Sequence, residues 1–580
     1  MGCSTLTKTD IQNSVEGHMD FTRRNALRLG LLSAGSLFSW AQGRNDALAG
    51  STDCVPHGTG EPPGPYRNPQ FSPNIPLFER PFKPMQVLPS KSVSSNLDGY
   101  TITMKKAQVE ILPGKQTEVW TYNGQVPGPL IRQRKGTGSV VRFINELGND
   151  DQGRGINTVI HLHGVASLPQ YDGYAEDIIP PQHYKDYYYP NDRPATFWYH
   201  DHVIEHTARN VYMGLAGIYI VEYDADEFCN PEAQPLLPQG EYDIPLLIQD
   251  KRLTPDGELV FNDRANRGIY DDVVLVNGVP WPRLTVKNRK YRFRVLNGGP
   301  SRTLSLEARV KHSDGSLEPV TLHVIASDSG LLSAPVATDN LRVGVAERYE
   351  FVIDFAKYAG KEVLLVNPLF FGNIDGNLRS TQIMCFQVSG GAQNNPPLPE
   401  RLTTLTPIET LLSEVKAPIR TFRFDRAGRW LINGKAWDPH RVDAFVEPCA
   451  TEIWRFVATG GWVHPIHIHL GHFRLLNRSR TPVAPYERGQ KDTFFVNDFE
   501  TVDMIGRFGP HEGKYMIHCH NLVHEDHDMM TQFQVGTQGC SPCAEPAKPV
   551  PIPVNFDAPR CVPPPECLVE TENNAKASCG

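Results

Sequence analysis

The sequence has little of what would point to a membrane protein, a nucleic-acid binder or a disordered chain. No apolar run reaches the roughly 18 residues that cross a bilayer, so we expect no transmembrane segment in the mature protein. Positive charge is not in excess, since 57 Lys and Arg stand against 65 Asp and Glu. The net charge of −8 argues against nucleic acid as the main partner, because phosphate binding requires concentrated basic residues. With 40% hydrophobic residues, the chain can form cores.

Proline and glycine are abundant, and they favour short strands joined by turns. The 49 Pro and 48 Gly would interrupt long helices. Alternating apolar runs such as residues 139–144 lie between clusters of Gly, Pro, Asn and Asp, a pattern typical of β-strands. Asn-Gly pairs at 123–124, 277–278 and 433–434 open similar phrases about 155 residues apart. This spacing indicates a repeat of whole domains.

We therefore predict an all-β chain of three consecutive domains, each a two-sheet Greek-key barrel or sandwich. The domains are placed at residues 85–225, 240–395 and 415–538. Pro-rich linkers at residues 230–240 and 394–407 separate them.

The first 49 residues are predicted to be an export signal. Arg23 and Arg24 precede a weakly apolar run at 26–38, and small residues at 47–49 form a cleavage site. The paired arginines resemble a bacterial twin-arginine signal, so we expect a periplasmic or secreted protein. The true start stays open between Met1 and Met19.

The cysteines also fit an exported protein, and they are unevenly distributed. Five of the 11 cysteines fall in the tail 539–580, which is too rich in proline for regular structure. We interpret this tail as an extension held by disulfides. Metal binding by Cys540 and Cys543 is a weaker alternative, because no histidine or second paired motif accompanies them.

Ten of the 20 histidines fall into four clusters. The clusters comprise His161 and His163; His200 and His202; His464, His467 and His469; and His518 with His520, followed by His524. On an extended strand, residues i and i+2 point to the same face, so each His-x-His pair directs two imidazoles to one side. The clusters therefore predict a centre of several metal ions between the first and third domains. A single structural zinc site would explain only one or two of the pairs.

Cys519 lies between His518 and His520, so its thiolate is expected to point away from them, towards a different metal. The ligands of that metal would be Cys519, His464, His524 and a nearby thioether. Two imidazoles, one thiolate and a weak axial methionine describe a blue-copper electron-transfer site.

Five further histidines show no such spacing and are interpreted as ordinary polar or surface residues: His183, His206, His472, His511 and His527. His472 and His527 lie beside the clusters in the sequence, so a position next to the metal ligands is the alternative for these two.

The phrases HLHG, WYHDH, HPIHIH and HCHNLVHEDHDMM resemble, in order and spacing, the four copper-binding signatures of multicopper oxidases. DGYAEDI, KDYYYPN, VNGVPWP and GWVHPIHIHL resemble most the branch of bilirubin oxidases and bacterial spore-coat laccases. The resemblance implies three cupredoxin-like domains and four copper ions. It assigns His464, Cys519, His524 and Met529 to the type 1 copper, His161 and His467 to the type 2 copper, and His163, His200, His202, His469, His518 and His520 to the type 3 pair. Met530 is an alternative axial ligand.

Two carboxylates also match positions that the family places near its trinuclear centre, namely Asp172 and Glu525. Reducing O2 to water consumes protons, so a positioned acid is chemically required. A purely structural hydrogen bond is the alternative for each.

The resemblance implies an oxidase that takes electrons from a small aromatic or tetrapyrrole donor and reduces O2. Bilirubin and phenols are the expected donors, and oxidation of Mn(II) or Cu(I) is the alternative. The 10 scattered methionines disfavour Cu(I), and a copper-binding envelope protein without activity ranks lower. We expect a monomer whose donor docks near His464, with Trp462 as an aromatic wall or a core residue.

Overall fold

The computed structural model describes residues 72–264, 267–368, 378–392, 394–536 and 550–551. The regular structure is almost entirely strand, so the predicted all-β class is confirmed. The predicted signal at 1–49 lies outside the described residues, and so does the tail at 539–580 apart from one two-residue strand. Within the described ranges, no helix is long and apolar enough to cross a membrane.

The helices are short. The α-helices in the described part of the chain are Thr207–Met213, Ile408–Glu414 and Leu522–Asp526. Single 3₁₀ turns occur at Pro169–Tyr171, Ala225–Glu227, Pro231–Leu236, Gly240–Tyr242, Leu378–Thr381 and Pro485–Arg488.

The strands of the first third form two sheets. They are β1 (Lys91–Ser94), β2 (Leu97–Val109), β3 (Thr117–Tyr122), β4 (Gly128–Arg134), β5 (Gly138–Asn145), β6 (Ile160–His163), β7 (His183–Tyr189), β8 (Ala195–Asp201) and β9 (Ala216–Glu222). One sheet has the order β1-β2-β5-β7 with β3 on β2, and the other has the order β4-β9-β8-β6. Apolar residues of both sheets, such as Phe143 and Phe197, share one buried core.

The middle third repeats the two-sheet plan. Its strands are β10 (Asp243–Lys251), β11 (Val273–Val276), β12 (Val279–Pro280), β13 (Arg283–Lys287), β14 (Lys290–Asn297), β15 (Leu304–Lys311), β16 (Leu317–Val320), β17 (Leu322–Ser327), β18 (Gly330–Thr338), β19 (Leu341–Val343), β20 (Arg348–Asp354), β21 (Glu362–Val366) and β22 (Gln382–Ser389). The sheets have the orders β12-β11-β10-β14-β20-β17-β18 and β13-β22-β21-β15-β16, with β19 on β15.

The last third also forms two sheets. Its strands are β23 (Arg420–Ala427), β24 (Arg429–Ile432), β25 (Ala444–Val446), β26 (Thr451–Ala458), β27 (His464–Ile468), β28 (Phe473–Arg478), β29 (Gln490–Lys491), β30 (Thr493–Val496), β31 (Thr501–Arg507), β32 (Gly513–Cys519) and β33 (Met530–Val535). The orders are β24-β23-β26-β31-β28-β29 and β25-β33-β32-β27-β30. A short strand β34 (Val550–Pro551) pairs with β7 of the first third.

The three Asn-Gly pairs are tight turns. Both residues have positive φ at 123–124, 277–278 and 433–434. Two consecutive left-handed residues make a type I′ turn, which matches the twist of the strands it connects.

Strand register brings the histidine clusters together. In the antiparallel pair β6/β8, His161 lies opposite His200. In the antiparallel pair β27/β32, His467 lies opposite His518. Residues directly opposite each other share a face of the sheet, so each pair of strands presents its histidines on one side.

Candidate metal centre

The mononuclear cluster is formed by one sulfur and two imidazoles. His464 Nδ1 lies 3.4 Å from Cys519 Sγ, and His524 Nδ1 lies 3.6 Å from the same sulfur. All three side chains are fully buried. His464 begins β27, Cys519 ends β32, and His524 lies on the helix Leu522–Asp526 that follows. This is the soft thiolate with two imidazoles that a blue-copper site requires.

Met529 is placed to complete this cluster. Its side chain packs in the same apolar core as Cys519, whereas Met530 packs in a separate small cluster with Ala175 and Met516. The backbone N–H of Met529 donates to His524 O at 3.0 Å, and its carbonyl accepts from Cys519 N–H at 3.0 Å. The geometry therefore favours Met529 over Met530 as the axial ligand.

The remaining eight histidines of the four clusters meet in one buried site. They are His161, His163, His200, His202, His467, His469, His518 and His520, none more than 1% exposed. The Nε2 atoms of His161 and His467 lie 3.3 Å apart. His518 Nε2 lies 3.2 Å from the Nε2 atoms of both His202 and His469. The His520 ring centroid is 5.0 Å from that of His163.

The outward nitrogens of these rings are held by hydrogen bonds to the protein. His161 Nδ1 contacts Asp172 O, His467 Nδ1 contacts Asp492 O at 2.9 Å, and His200 Nδ1 contacts Asp201 O at 2.8 Å. These bonds fix the tautomer in which Nε2 is free for a metal. His200 Nε2 indeed has no partner in the described part of the chain.

His163 has the opposite orientation. Its Nε2 lies 3.0 Å from Asp492 Oδ1 and 3.1 Å from Thr493 Oγ1, and its buried Nδ1 is without a partner among the described residues. His163 therefore presents Nδ1 to the cluster. Gly164, the glycine of HLHG, lets the backbone after His163 lie close to Arg348 and Asp492. A Cβ at this position would lie 2.5 Å from Arg348 Nη2 and 2.7 Å from Asp492 Oδ2.

The electrostatics of the site also fit bound metal. Burial lowers the pKa of His202 to about 4 and of His464 to about 3, so these rings are neutral at physiological pH. Neutral imidazole is the form that binds metals. Buried ring nitrogens 3.2–3.3 Å apart, several of them unpartnered, would be costly in an empty site. The donor set thus fits copper, which binds imidazole and thiolate strongly.

The two predicted carboxylates both lie against this cluster. Asp172 Oδ2 lies 2.7 Å from His469 Nδ1, and burial raises the pKa of Asp172 well above its usual range. Glu525 Oε2 lies 3.0 Å from His518 Nδ1, and Oε1 lies 3.5 Å from His202 Nδ1. Burial alone would raise the pKa of Glu525, but the two imidazoles outweigh it and bring this pKa down to about 2.

Comparison with known proteins decides the family. Residues 103–226 and, separately, residues 407–539 match families described as multicopper oxidase. Bilirubin oxidase from Albifimbria verrucaria is 38% identical over 495 residues, covering 80% of this chain and 82% of that protein. A laccase from Bacillus subtilis (strain 168) is 32% identical over 503 residues, covering 75% and 94%. The chain belongs to the multicopper oxidase family.

Solved structures support the same fold for this multicopper oxidase. The McoA multicopper oxidase from Aquifex aeolicus superimposes with a TM-score of 0.69 at 28% identity, covering 79% of this chain and all of that one. A laccase from Pediococcus acidilactici gives a TM-score of 0.70 at 30% identity, covering 81% and 96%. These cupredoxin-fold neighbours confirm the fold class.

His464 and His524, the two imidazoles of the mononuclear cluster, are both fully buried. The rings of Phe424 and Trp430 pack against His464, and Trp430 also stacks on His524. His524 Nε2 lies 3.0 Å from the main-chain carbonyl of Arg267, an exposed residue. Trp462 is half-buried, and its Nε1 donates to Tyr270 Oη at 2.7 Å.

Sequence reasoning missed a buried ion pair beneath the histidines of the oxidase. Arg348 Nη1 donates to Asp492 Oδ1 at 2.7 Å, and both side chains are fully buried. Asp492 contacts His163 through its side chain and His467 through its carbonyl. Asp492 is the single acid in the phrase GQKDT, and it has no regular spacing from the histidines that would mark it as part of the site.

The five other histidines stay outside both clusters within the described part of the chain. Among them, His511 is a buried polar residue, only 6% exposed.

Removing copper with a chelator is expected to lower the melting temperature of this oxidase. A metal that binds only the native state stabilises it by about 2.7 kcal/mol per site at a hundredfold excess over Kd. Differential scanning calorimetry of the holoprotein, the apoprotein and the copper-reconstituted protein measures the effect. Equal melting temperatures for holoprotein and apoprotein would contradict a role of these clusters in binding metal.

Proposed function

We propose that this oxidase binds four copper ions and couples the oxidation of an organic donor to the reduction of O2 to water. The observation that carries the proposal is the sequence His518-Cys519-His520, in which the middle residue belongs to one cluster and its neighbours to the other. The copper ions, when bound, supply one-electron oxidation of the donor and four-electron reduction of O2.

The ligand roles follow the two clusters. The type 1 copper would be held by His464, Cys519, His524 and Met529, the type 2 copper by His161 and His467, and the type 3 pair by His163, His200, His202, His469, His518 and His520. The protein keeps these ligands buried and, through Asp172, Glu525 and Asp492, fixes the orientation of several rings. Asp172, whose pKa is raised by burial, is the acid that we propose supplies protons to the oxygen site, whereas Glu525, whose pKa is lowered, acts as a carboxylate that orients His518 and His202.

The donor is proposed to dock above His524. Trp430 stacks on the His524 ring at a centroid distance of 3.7 Å, and the Arg426 guanidinium lies 4.7 Å above the Trp430 ring. Burial and the neighbouring charge of Arg267 lower the pKa of Arg426, so these two guanidinium groups lie near each other. In the part of the chain that the structure describes, neither forms an ion pair.

Two unpaired arginines favour a donor that carries carboxylates. Bilirubin carries two, whereas a simple dimethoxyphenol carries none. The likeness to bilirubin oxidase and this charge both support a tetrapyrrole donor, with phenols accepted more weakly.

Oxygen uptake by the copper-loaded protein tests the proposal, with bilirubin and dimethoxyphenol at matched concentrations. We expect a higher kcat/KM for bilirubin. The double variant R267Q/R426Q should raise the KM for bilirubin roughly fivefold, a change of about 1 kcal/mol, and leave the KM for the phenol nearly unchanged.

The matched control is Arg423→Gln, which removes an exposed positive charge from the same strand β23. It should leave both KM values unchanged. A preference for the phenol in the wild-type protein would indicate a laccase. Uptake with neither donor, at full copper content, would contradict the proposed donor class and point to a metal ion as donor.

A further inference from the structure

A cavity outside the two metal clusters lies where the three predicted domains meet. It has a volume of about 270 Å³, and we call it the junction pocket. The first domain contributes Arg193 and Lys135, the second Ser329, the linker Thr403–Thr406, and the third His472. Nothing in the copper chemistry uses this pocket.

One end of the junction pocket carries buried donors that lack acceptors. Arg193 Nη1 and His472 Nδ1 are both buried and have no hydrogen-bond partner within the described ranges. Arg193 makes one long hydrogen bond, from Nη2 to Gly509 O at 3.4 Å. An unmatched buried donor costs about 1–3 kcal/mol, and more when it is charged.

Arg474 adds a second guanidinium at the same end. Its Nη1 donates to the carbonyl of Thr406, a wall residue, at 3.2 Å, while its buried Nε has no partner in the described structure. Arg193 and His472 both line the pocket, and burial, together with the charges of Arg193 and Arg474, lowers the pKa of His472. No carboxylate of the described residues forms an ion pair with either arginine.

The acidic groups of the pocket do not neutralise this end. Glu227 is already paired with Lys135, which also lies 3.2 Å from Asp226. Asp192 lines the pocket as an exposed residue that makes no ion pair in the part of the chain described. The arginine end therefore keeps an excess of positive charge and of unused N–H groups.

We propose that the junction pocket binds a small oxyanion, either inorganic phosphate or a short carboxylate. Arg193 and His472 donate to its oxygens, and Arg474 supplies further positive charge. The forked guanidinium group matches the spacing of oxygens in both kinds of anion. Because all three domains and a linker form the walls, the bound anion also joins them and stabilises their arrangement.

Isothermal titration calorimetry of the copper-loaded full-length protein with inorganic phosphate tests the proposal, at ionic strength held constant with sodium chloride. We expect a single site with a Kd of about 1 mM or tighter. The variants Arg193→Gln and His472→Gln should each weaken binding about tenfold, which corresponds to about 1.4 kcal/mol. A parallel titration with malonate distinguishes a phosphate site from a carboxylate site by their relative Kd.

Arg401→Gln is the matched control, because Arg401 is an exposed arginine of the same linker region that does not line the pocket. It should bind phosphate like the wild type. Ser329 is not a suitable position, since its Oγ lies 3.4 Å from Asp492 Oδ2 and so reaches the copper site.

Three results would overturn the proposal: no saturable binding of phosphate or malonate to the wild-type protein, full affinity in Arg193→Gln and His472→Gln, or equal weakening in Arg401→Gln. Full affinity in the pocket variants would mean that phosphate binds elsewhere, for instance at copper. The oxidase activity of these variants is a separate readout, so failure here is distinguishable from failure of the proposed function.

Discussion

Replacing Cys519 by serine is expected to remove the blue colour of the copper-loaded protein and to abolish turnover of every donor. Cys519 is the thiolate between the imidazoles of His464 and His524. Blue-copper colour and fast electron transfer both depend on the bond between copper and thiolate. A serine hydroxyl stays protonated at neutral pH and is a hard, weak ligand, so neither property survives. Visible absorption and oxygen uptake measure the two losses.

The other two free cysteines of the described chain provide matched controls. Cys229 is exposed and Cys385 is buried on β22, and neither belongs to a metal cluster among the described residues. Cys229→Ser and Cys385→Ser should keep colour and turnover, although Cys385→Ser will cost some stability in an apolar environment. Measuring the copper content of Cys519→Ser by mass spectrometry shows whether the variant has lost one copper ion or all of them. Retained turnover in Cys519→Ser would disprove the assignment of the mononuclear cluster.

The two clusters of histidine and cysteine could be predicted from the sequence because their pattern is local. Two histidines at a spacing of two residues share a face of a strand, whatever the rest of the fold does. Cys519 between two histidines must point to the other face, and the structure places its sulfur with His464 and His524. The Asn-Gly turns are equally local, since each needs only two residues with positive φ.

What the sequence could not show depends on contacts between distant parts of the chain. His161 meets His467 across 306 positions, and no local pattern specifies that pairing. Phe424 and Trp430 pack on His464 from the other sheet of the last third of the chain, and no local pattern specifies that contact. Arg267, whose carbonyl lies beside His524, is 257 positions away, so its place near this ring follows only from the folded chain.

Asp492 also contacts a residue that is distant in the sequence, because its side chain lies against His163. Its replacement is the second change from which we expect a large effect. Asp492→Ala removes the carboxylate that forms a fully buried ion pair with Arg348, and leaves it only the more distant Asp328, whose Oδ1 lies 3.9 Å from Nη1. Breaking such a pair by removing one partner destabilises a protein by about 3–5 kcal/mol. The alanine also removes the carboxylate acceptor at His163 Nε2 and leaves only Thr493 Oγ1, at 3.1 Å, to fix the tautomer of that ring. Losing such a contact typically weakens metal binding about 10–100-fold.

Asp492→Asn separates the two effects. The asparagine keeps an oxygen for His163 Nε2 but loses the negative charge that pairs with Arg348. We therefore expect Asp492→Asn to lose stability almost as alanine does, while it retains copper better than alanine. Urea unfolding measures the free energy of unfolding, and equilibrium dialysis against a copper chelator measures affinity.

A surface ion pair of similar geometry provides the control. Arg455 and Asp503 form two hydrogen bonds of 2.7 and 2.8 Å, but Arg455 is 39% exposed. Solvent screens such a pair, so Asp503→Asn should cost at most about 1 kcal/mol and leave copper binding unchanged. Equal losses in Asp492→Ala and Asp503→Asn would show that burial beneath the histidines gives Asp492 no special role. Equal copper affinity in Asp492→Ala and Asp492→Asn would rule out the control of the His163 tautomer by Asp492, since only the asparagine keeps an acceptor at this position in addition to Thr493 Oγ1.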